Sequence, residues 1–135
     1  MPASAETASY RFNHTMLRVK DPEKSLKFYQ DVLGMDLIDQ HDAGDFCLYF
    51  LAYTNVDGQT KDIKAQGRGS IEGILELTWN KGTEKDPNFQ YHNGNDQPQG
   101  FGHTCISVDN LDKACERFEK LGVGTSFYAH LHRPV

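Results

Sequence analysis

The sequence carries little that would bind a polyanion, cross a membrane or staple itself together. Its 14 Lys and Arg face 19 Asp and Glu, a net charge of −5 with histidine neutral. An excess of acid without a clustered basic face excludes a phosphate-backbone partner, so no nucleic acid is expected. No apolar run approaches the roughly 20 residues of a membrane-spanning helix, so no membrane partner is expected either. Cys47, Cys105 and Cys115 are an odd number without CxxC spacing. That argues against a disulfide scaffold and for a reduced, cytoplasmic chain whose thiols act as small buried apolar groups. The first residues have neither a basic segment nor an apolar one, so they are no secretory signal, and residues 1–10 read as a frayed tail. GxSxG, P-loop and GxGxxG motifs are all missing.

What the sequence does have is one pattern stated twice. His14-Thr-Met-Leu-Arg-Val19 runs into Asp21-Pro-Glu-Lys24, and His103-Thr-Cys-Ile-Ser-Val108 runs into Asn110-Leu-Asp-Lys113. Each copy sets a histidine at the start of a short strand that leads into a capped amphipathic helix. The period is far too long for a solenoid. It suits an α+β fold of paired βαβββ modules, each delivering one histidine to a shared cavity.

The alternation of Phe12, His14, Met16 and Arg18 against Asn13, Thr15, Leu17 and Val19 predicts a strand over 12–19. Asp21 as N-cap, Pro22 at the first helical position and Gly34 past the last turn bracket a helix carrying Leu26, Tyr29 and Leu33. Met35–Gln40 and Phe46–Tyr53 read as strands around a turn that includes His41, residues 54–72 as a long loop, and Gly73–Trp79 as a strand. The Gly- and Pro-bearing stretch 81–100 is a surface connection, with His92 a solvated loop residue. A second strand over His103–Val108 and a helix over 111–121 follow. The organisation is thus module one at 11–80, the connection at 81–100, an incomplete module two at 101–123, and a divergent tail at 124–135. The second module has room for one further strand at most, which reads as a truncated or differently spliced end with an open sheet edge.

Chemistry concentrates on the strand that ends module one. Ile74, Glu76, Thr78 and Asn80 share one face, and a mid-strand carboxylate among apolar residues needs a partner. Two readings stand. Paired modules would let His14, His103 and Glu76 converge with Arg18 and Asn80 nearby, a set suited to Zn²⁺, Ni²⁺ or Fe²⁺. Alternatively, each histidine is bonded to backbone and Glu76 pairs with Arg18. His130 and His132 have strand-ligand spacing but lie in the divergent tail, where incidental occurrence is the simpler account.

Longer motifs then add a family resemblance. His14-Thr-Met-Leu-Arg-Val-Lys-Asp-Pro22, Phe28-Tyr29, Val32-Leu-Gly-Met35, Leu48-Tyr-Phe-Leu-Ala-Tyr53, Leu75-Glu-Leu-Thr78, Gly82-Thr-Glu84, Tyr91-His-Asn-Gly-Asn95, Gly100-Phe-Gly-His103 and Ala114-Cys-Glu-Arg-Phe118 together resemble the glyoxalase I (lactoylglutathione lyase) family of the vicinal oxygen chelate superfamily. The resemblance implies metal ligands at His14, Glu76 and His103, with Zn²⁺ the expected metal and Ni²⁺ the alternative. It implies glutathione contacts from Arg18 and Asn80. The implied reaction is isomerisation of the methylglyoxal–glutathione hemithioacetal to S-lactoylglutathione, in which a glutamate near the metal moves the proton; Glu76 remains available for that role.

Three departures qualify it. Gln99 stands where the family usually has an arginine, which weakens a glutathione-carboxylate contact. Trp79-Asn-Lys81 replaces the usual His-Asn-Trp and is expected to alter the cavity wall. The family's final ligand glutamate, which the resemblance also makes the base, has no counterpart, since no Asp or Glu follows Glu119. This 135-residue form is therefore expected to be impaired. The alternatives are a non-catalytic metal-binding fragment that pairs with an intact subunit, as a homodimer or with a second glyoxalase module, and an extradiol-type dioxygenase with His14, His103 and Glu76 as an iron triad.

Overall fold

The computed structural model describes residues 5–56, 59–60, 63 and 67–123. These fall into two compact units divided between Asn93 and Gly94, each taken here by itself.

The first unit is built on a four-stranded sheet. Its strands are β1 (His14–Val19), β2 (Asp36–Asp42), β3 (Phe46–Ala52) and, after a short ladder of β4 (Asn55–Val56) with β5 (Gln59–Thr60), β6 (Ile74–Asn80). The spatial order is β1-β6-β3-β2. β6 pairs parallel to β1 and antiparallel to β3, and β3 pairs antiparallel to β2. This is the βαβββ arrangement expected of an α+β module.

Between β1 and β2 the chain forms α1 (Pro22–Lys27), continued by a wider π-type turn over Phe28–Val32. The Asp21 carboxylate accepts from the backbone N–H groups of Glu23 and Lys24, two donors that the first turn would otherwise leave unpaired. Gly34, at φ +75°, closes the helix in a conformation that side chains with a Cβ avoid.

The two faces of the sheet divide the work. One packs against α1: Leu51 and Leu77, both fully buried, join Met35, Cys47, Tyr49 and Leu75, with Leu26, Tyr29 and Leu33 of the helical segment against them. The other face carries Phe50, Ala52 and Ile74 in contact with Ile71 and Ile63 of the preceding loop. That loop leaves the rest of the face free for polar groups.

Three expectations need correction here. His41 lies inside β2, opposite Leu48, because the strand runs on to Asp42 before turning. Of the cysteines, only Cys47 is buried; Cys105 is exposed, although all three are free thiols. Residues 103–108 form no strand among the described residues. Alternation supplies a tendency to extend, but a strand also needs a neighbour to satisfy its backbone groups, and none is found there.

In the second unit Gly94 and residues 100–102 fold back on each other. Gly100 N–H donates to the Gly94 carbonyl at 2.8 Å, and a Cβ on Gly94 would sit 2.1 Å from the Phe101 carbonyl oxygen, so only glycine fits. The helix α2 (Leu111–Lys120) begins at Asn110, whose side chain accepts from Lys113 N–H at 3.0 Å. The divergent tail, with His130 and His132, lies outside the described residues.

Candidate active site

The register of β6 with its neighbours decides which side chains share the face away from α1. His14 lies opposite Ile74, Met16 opposite Glu76 and Arg18 opposite Thr78 on one side. Phe50 lies opposite Glu76, Leu48 opposite Thr78 and Phe46 opposite Asn80 on the other. Side chains two residues apart on a strand share a face. His14, Arg18, Glu76, Thr78 and Asn80 therefore stand together on the face that α1 does not cover.

Within that set the partner of Glu76 is His14. Its Nε2 lies 3.3 Å from Glu76 Oε2, with the glutamate side chain largely shielded and the imidazole about half exposed. Thr78 Oγ1 donates to the other carboxylate oxygen at 3.3 Å. Of the two readings open from sequence, pairing of Glu76 with Arg18 is not the one formed. Asn80 Nδ2 donates to the Tyr91 hydroxyl at 3.3 Å.

The imidazole is held on its other sides as well. Asn13 Oδ1 lies 2.8 Å from His14 Nδ1, and the Phe50 ring meets the imidazole edge-to-face at 6.1 Å. Arg68 lies over Phe50, its guanidinium carbon 3.7 Å from the ring centroid. Its Nη1 approaches Asp39 Oδ2 at 3.2 Å as an ion pair without the alignment of a hydrogen bond. Nothing in the sequence marks Arg68 for this site, parity puts Asn13 on the far face, and Phe50 stands in the Leu48–Tyr53 motif without a role of its own.

The donor chemistry fits a divalent cation. An imidazole nitrogen and a carboxylate oxygen face each other, and the second imidazole nitrogen is engaged by a side-chain carbonyl, the usual support of a metal-bound histidine. Neither unit alone gathers three His, Cys, Asp or Glu side chains into one group among the described residues. His103 belongs to the second unit, as does Gln99, and both are exposed there.

The substituted Trp79-Asn-Lys81 segment touches this face less than expected. Trp79 points to the α1 side and its indole donates to Glu84 Oε2 at 3.0 Å. Lys81 Nζ grips both oxygens of Asp42 at 2.8 and 2.9 Å. That contact holds the Asp42 carboxyl below, and the Lys81 ammonium above, its ordinary range. A cleft of about 480 Å³ between Val19–Asp21, Lys24, Glu84 and Pro87 borders α1 rather than the His14–Glu76 pair.

Comparisons with known proteins place the chain in a family. The model of the Glyoxalase/Bleomycin resistance protein/Dioxygenase superfamily matches residues 11–127. Lactoylglutathione lyase of Pseudomonas putida is 54% identical over 127 residues, covering 90% of this chain and 72% of its own. Glyoxalase I of Saccharomyces cerevisiae is 50% identical over 111 residues, 81% of this chain but 32% of its own length. Among solved structures, the trypanothione-dependent glyoxalase I of Leishmania major superposes with a TM-score of 0.61 at 28% identity, covering 84% of this chain and 68% of its own.

Proposed function

Since the chain belongs to the Glyoxalase/Bleomycin resistance protein/Dioxygenase superfamily, and its curated relatives are lactoylglutathione lyases at about half identity, we propose that it converts a glutathione hemithioacetal of an α-ketoaldehyde, methylglyoxal above all, into the hydroxyacyl thioester. The observation that carries this reading is the His14 Nε2–Glu76 Oε2 approach of 3.3 Å on the sheet face away from α1. The reaction moves a proton from the sulfur-bearing carbon to its neighbour, and a carboxylate held beside the substrate is suited to take and return it.

His14 and Glu76 would hold a divalent ion, with His103 of the second module, from the same chain or a second copy, as a further ligand. Zn²⁺ is the proposed metal and Ni²⁺ the alternative; bound there, it would supply Lewis-acid stabilisation of negative charge on the two vicinal oxygens. Arg18, always cationic, would take a carboxylate of the glutathione moiety, and Asn80 would bond its amides. Gln99 offers a neutral contact where an arginine would give a charged one. The three free thiols suit a reducing compartment, the cytoplasm. Among the described residues no helix is long and apolar enough to cross a membrane.

The test is formation of S-lactoylglutathione by chain loaded with Zn²⁺ or Ni²⁺, with and without a chelator. Glu76→Gln is expected to lower kcat by a factor of ~10²–10⁴, as loss of a general base does. Equal rates for the two proteins would overturn the role given to Glu76. Oxygen uptake with a catechol in place of isomerisation would move the assignment to a dioxygenase.

A further inference from the structure

We propose that Asn13 is a positioning residue that sets the tautomer of His14, so that Nδ1 carries the proton and an unprotonated Nε2 faces Glu76. The inference rests on the reading of His14 as a metal ligand only for its consequence; the tautomer itself follows from hydrogen-bond chemistry. Asn13 Nδ2 lies 2.9 Å from the Arg68 carbonyl and 2.7 Å from the Ile71 carbonyl. A carbonyl can only accept, so the amide nitrogen must be the group turned toward the loop. Its Oδ1 is then the atom 2.8 Å from His14 Nδ1. That oxygen can only accept too, so Nδ1 must donate. A neutral imidazole has a single N–H, and Nε2 is left with a lone pair.

That lone pair points where a carboxylate already stands, 3.3 Å away at Glu76 Oε2. Two electron-rich atoms at this distance repel unless a proton or a metal cation shares the space between them. The other tautomer would let Nε2–H donate to Glu76 and close the gap with a hydrogen bond. In the neutral ring Asn13 denies the site that self-satisfied state and keeps both electron-pair donors available. It is itself held hard: besides the two side-chain bonds, its carbonyl accepts from Ile74 N–H at 3.0 Å, at the start of the strand that carries Glu76. The segment 68–71 is thereby tied to the tautomer of a residue it does not bond directly.

The experiment is a ¹⁵N correlation spectrum of the imidazoles of metal-free full chain at about pH 8.5, where an ordinary histidine is neutral. His14 is identified from its loss in His14→Ala. The expected spectrum has His14 Nδ1 protonated and Nε2 pyridine-like. Asn13→Ala, and Asn13→Leu, which keeps the side chain's shape without an acceptor, are expected to shift His14 toward the Nε2–H form. In a competition titration with a chromogenic chelator, Asn13→Ala should bind Zn²⁺ ~10–100-fold more weakly than wild type, the usual effect of removing a ligand's hydrogen-bond partner.

A wild-type spectrum with Nε2 protonated would overturn the proposal, as would an unchanged tautomer in Asn13→Ala. If Asn13→Ala fails to fold, Asn13→Leu still decides it, an unchanged tautomer there overturning the proposal. The ligand reading fails separately, if His14→Ala binds Zn²⁺ as tightly as wild type, and the metal-free spectra stand whatever that titration gives.

Discussion

Lys81 and Asp42 join the end of β6 to the β2–β3 turn, and the pH dependence of their contact can be worked out from the direction of each shift. Hydrogen bonding from Lys81, then from Gly44 N–H, lowers the Asp42 pKa from 3.8. Its contribution to stability is present above the unfolded value and is lost as pH falls through the lower folded one. Hydrogen bonding to Asp42 raises the Lys81 pKa from 10.5, so that contribution is complete below the unfolded value and is lost as pH rises through the higher folded one. Lys81→Met is therefore expected to lower the urea midpoint modestly at neutral pH, by an amount that shrinks as pH falls through the lowered Asp42 pKa. A midpoint difference that persists at acid pH would show that the lysine acts through its aliphatic stem instead. The same scale shows what could be read in advance. Strand parity is local, so the grouping of His14 with Arg18 and of Glu76 with Thr78 and Asn80 was legible from alternation, whereas the joining of the two sets on one face needed the β1–β6 register. Asn13 was not legible, because its partners are carbonyls of a distant loop, and any residue type can supply a carbonyl.

Among the elements, β6 bears the greatest structural demand. It is flanked by β1 and β3, so both of its faces are constrained: Leu75 and Leu77 enter the α1-side core, while Ile74 packs against Phe50 and Ile71. Leu77 is 1% exposed. Leu77→Ala should cost about 2–5 kcal/mol, transfer and cavity terms together, because a paired central strand cannot collapse to fill the gap. Urea denaturation of the two proteins measures it, and a loss well under 1 kcal/mol would mean that the α1 side repacks freely. The helix signals were readable because capping is local: Asp21, Pro22 and Gly34 bracket the α1 segment in sequence and in space. The π-type turn over Phe28–Val32 was not, since Leu26, Tyr29 and Leu33 fit ordinary helical spacing equally well. Residues 103–108 fail for another reason. Their alternation matches β1, yet pairing is decided by which strand lies alongside, and that information is not in the segment.

Over the whole molecule the two units differ in how much they bury. The first has a sheet with a core on each face, whereas α2 in the second buries no residue, and Leu111 and Leu121 at its ends are 40% and 50% exposed. Phe101, Ile106 and Val108 are exposed in the same unit. A helix of ten residues has too few turns to be stable on its own sequence; most helical stability in proteins comes from packing an apolar stripe. Cooperative opening should therefore be graded along the chain. In native-state hydrogen exchange the amides of β3 and β6 should exchange only through global unfolding, whereas those of α2 should exchange through a cheaper local opening. Pairing of this unit with a second copy would raise α2 protection with protein concentration while leaving β3 and β6 unmoved, as mass action requires. Protection of α2 equal to that of β6, and independent of concentration, would show that its apolar stripe is already covered within a single chain.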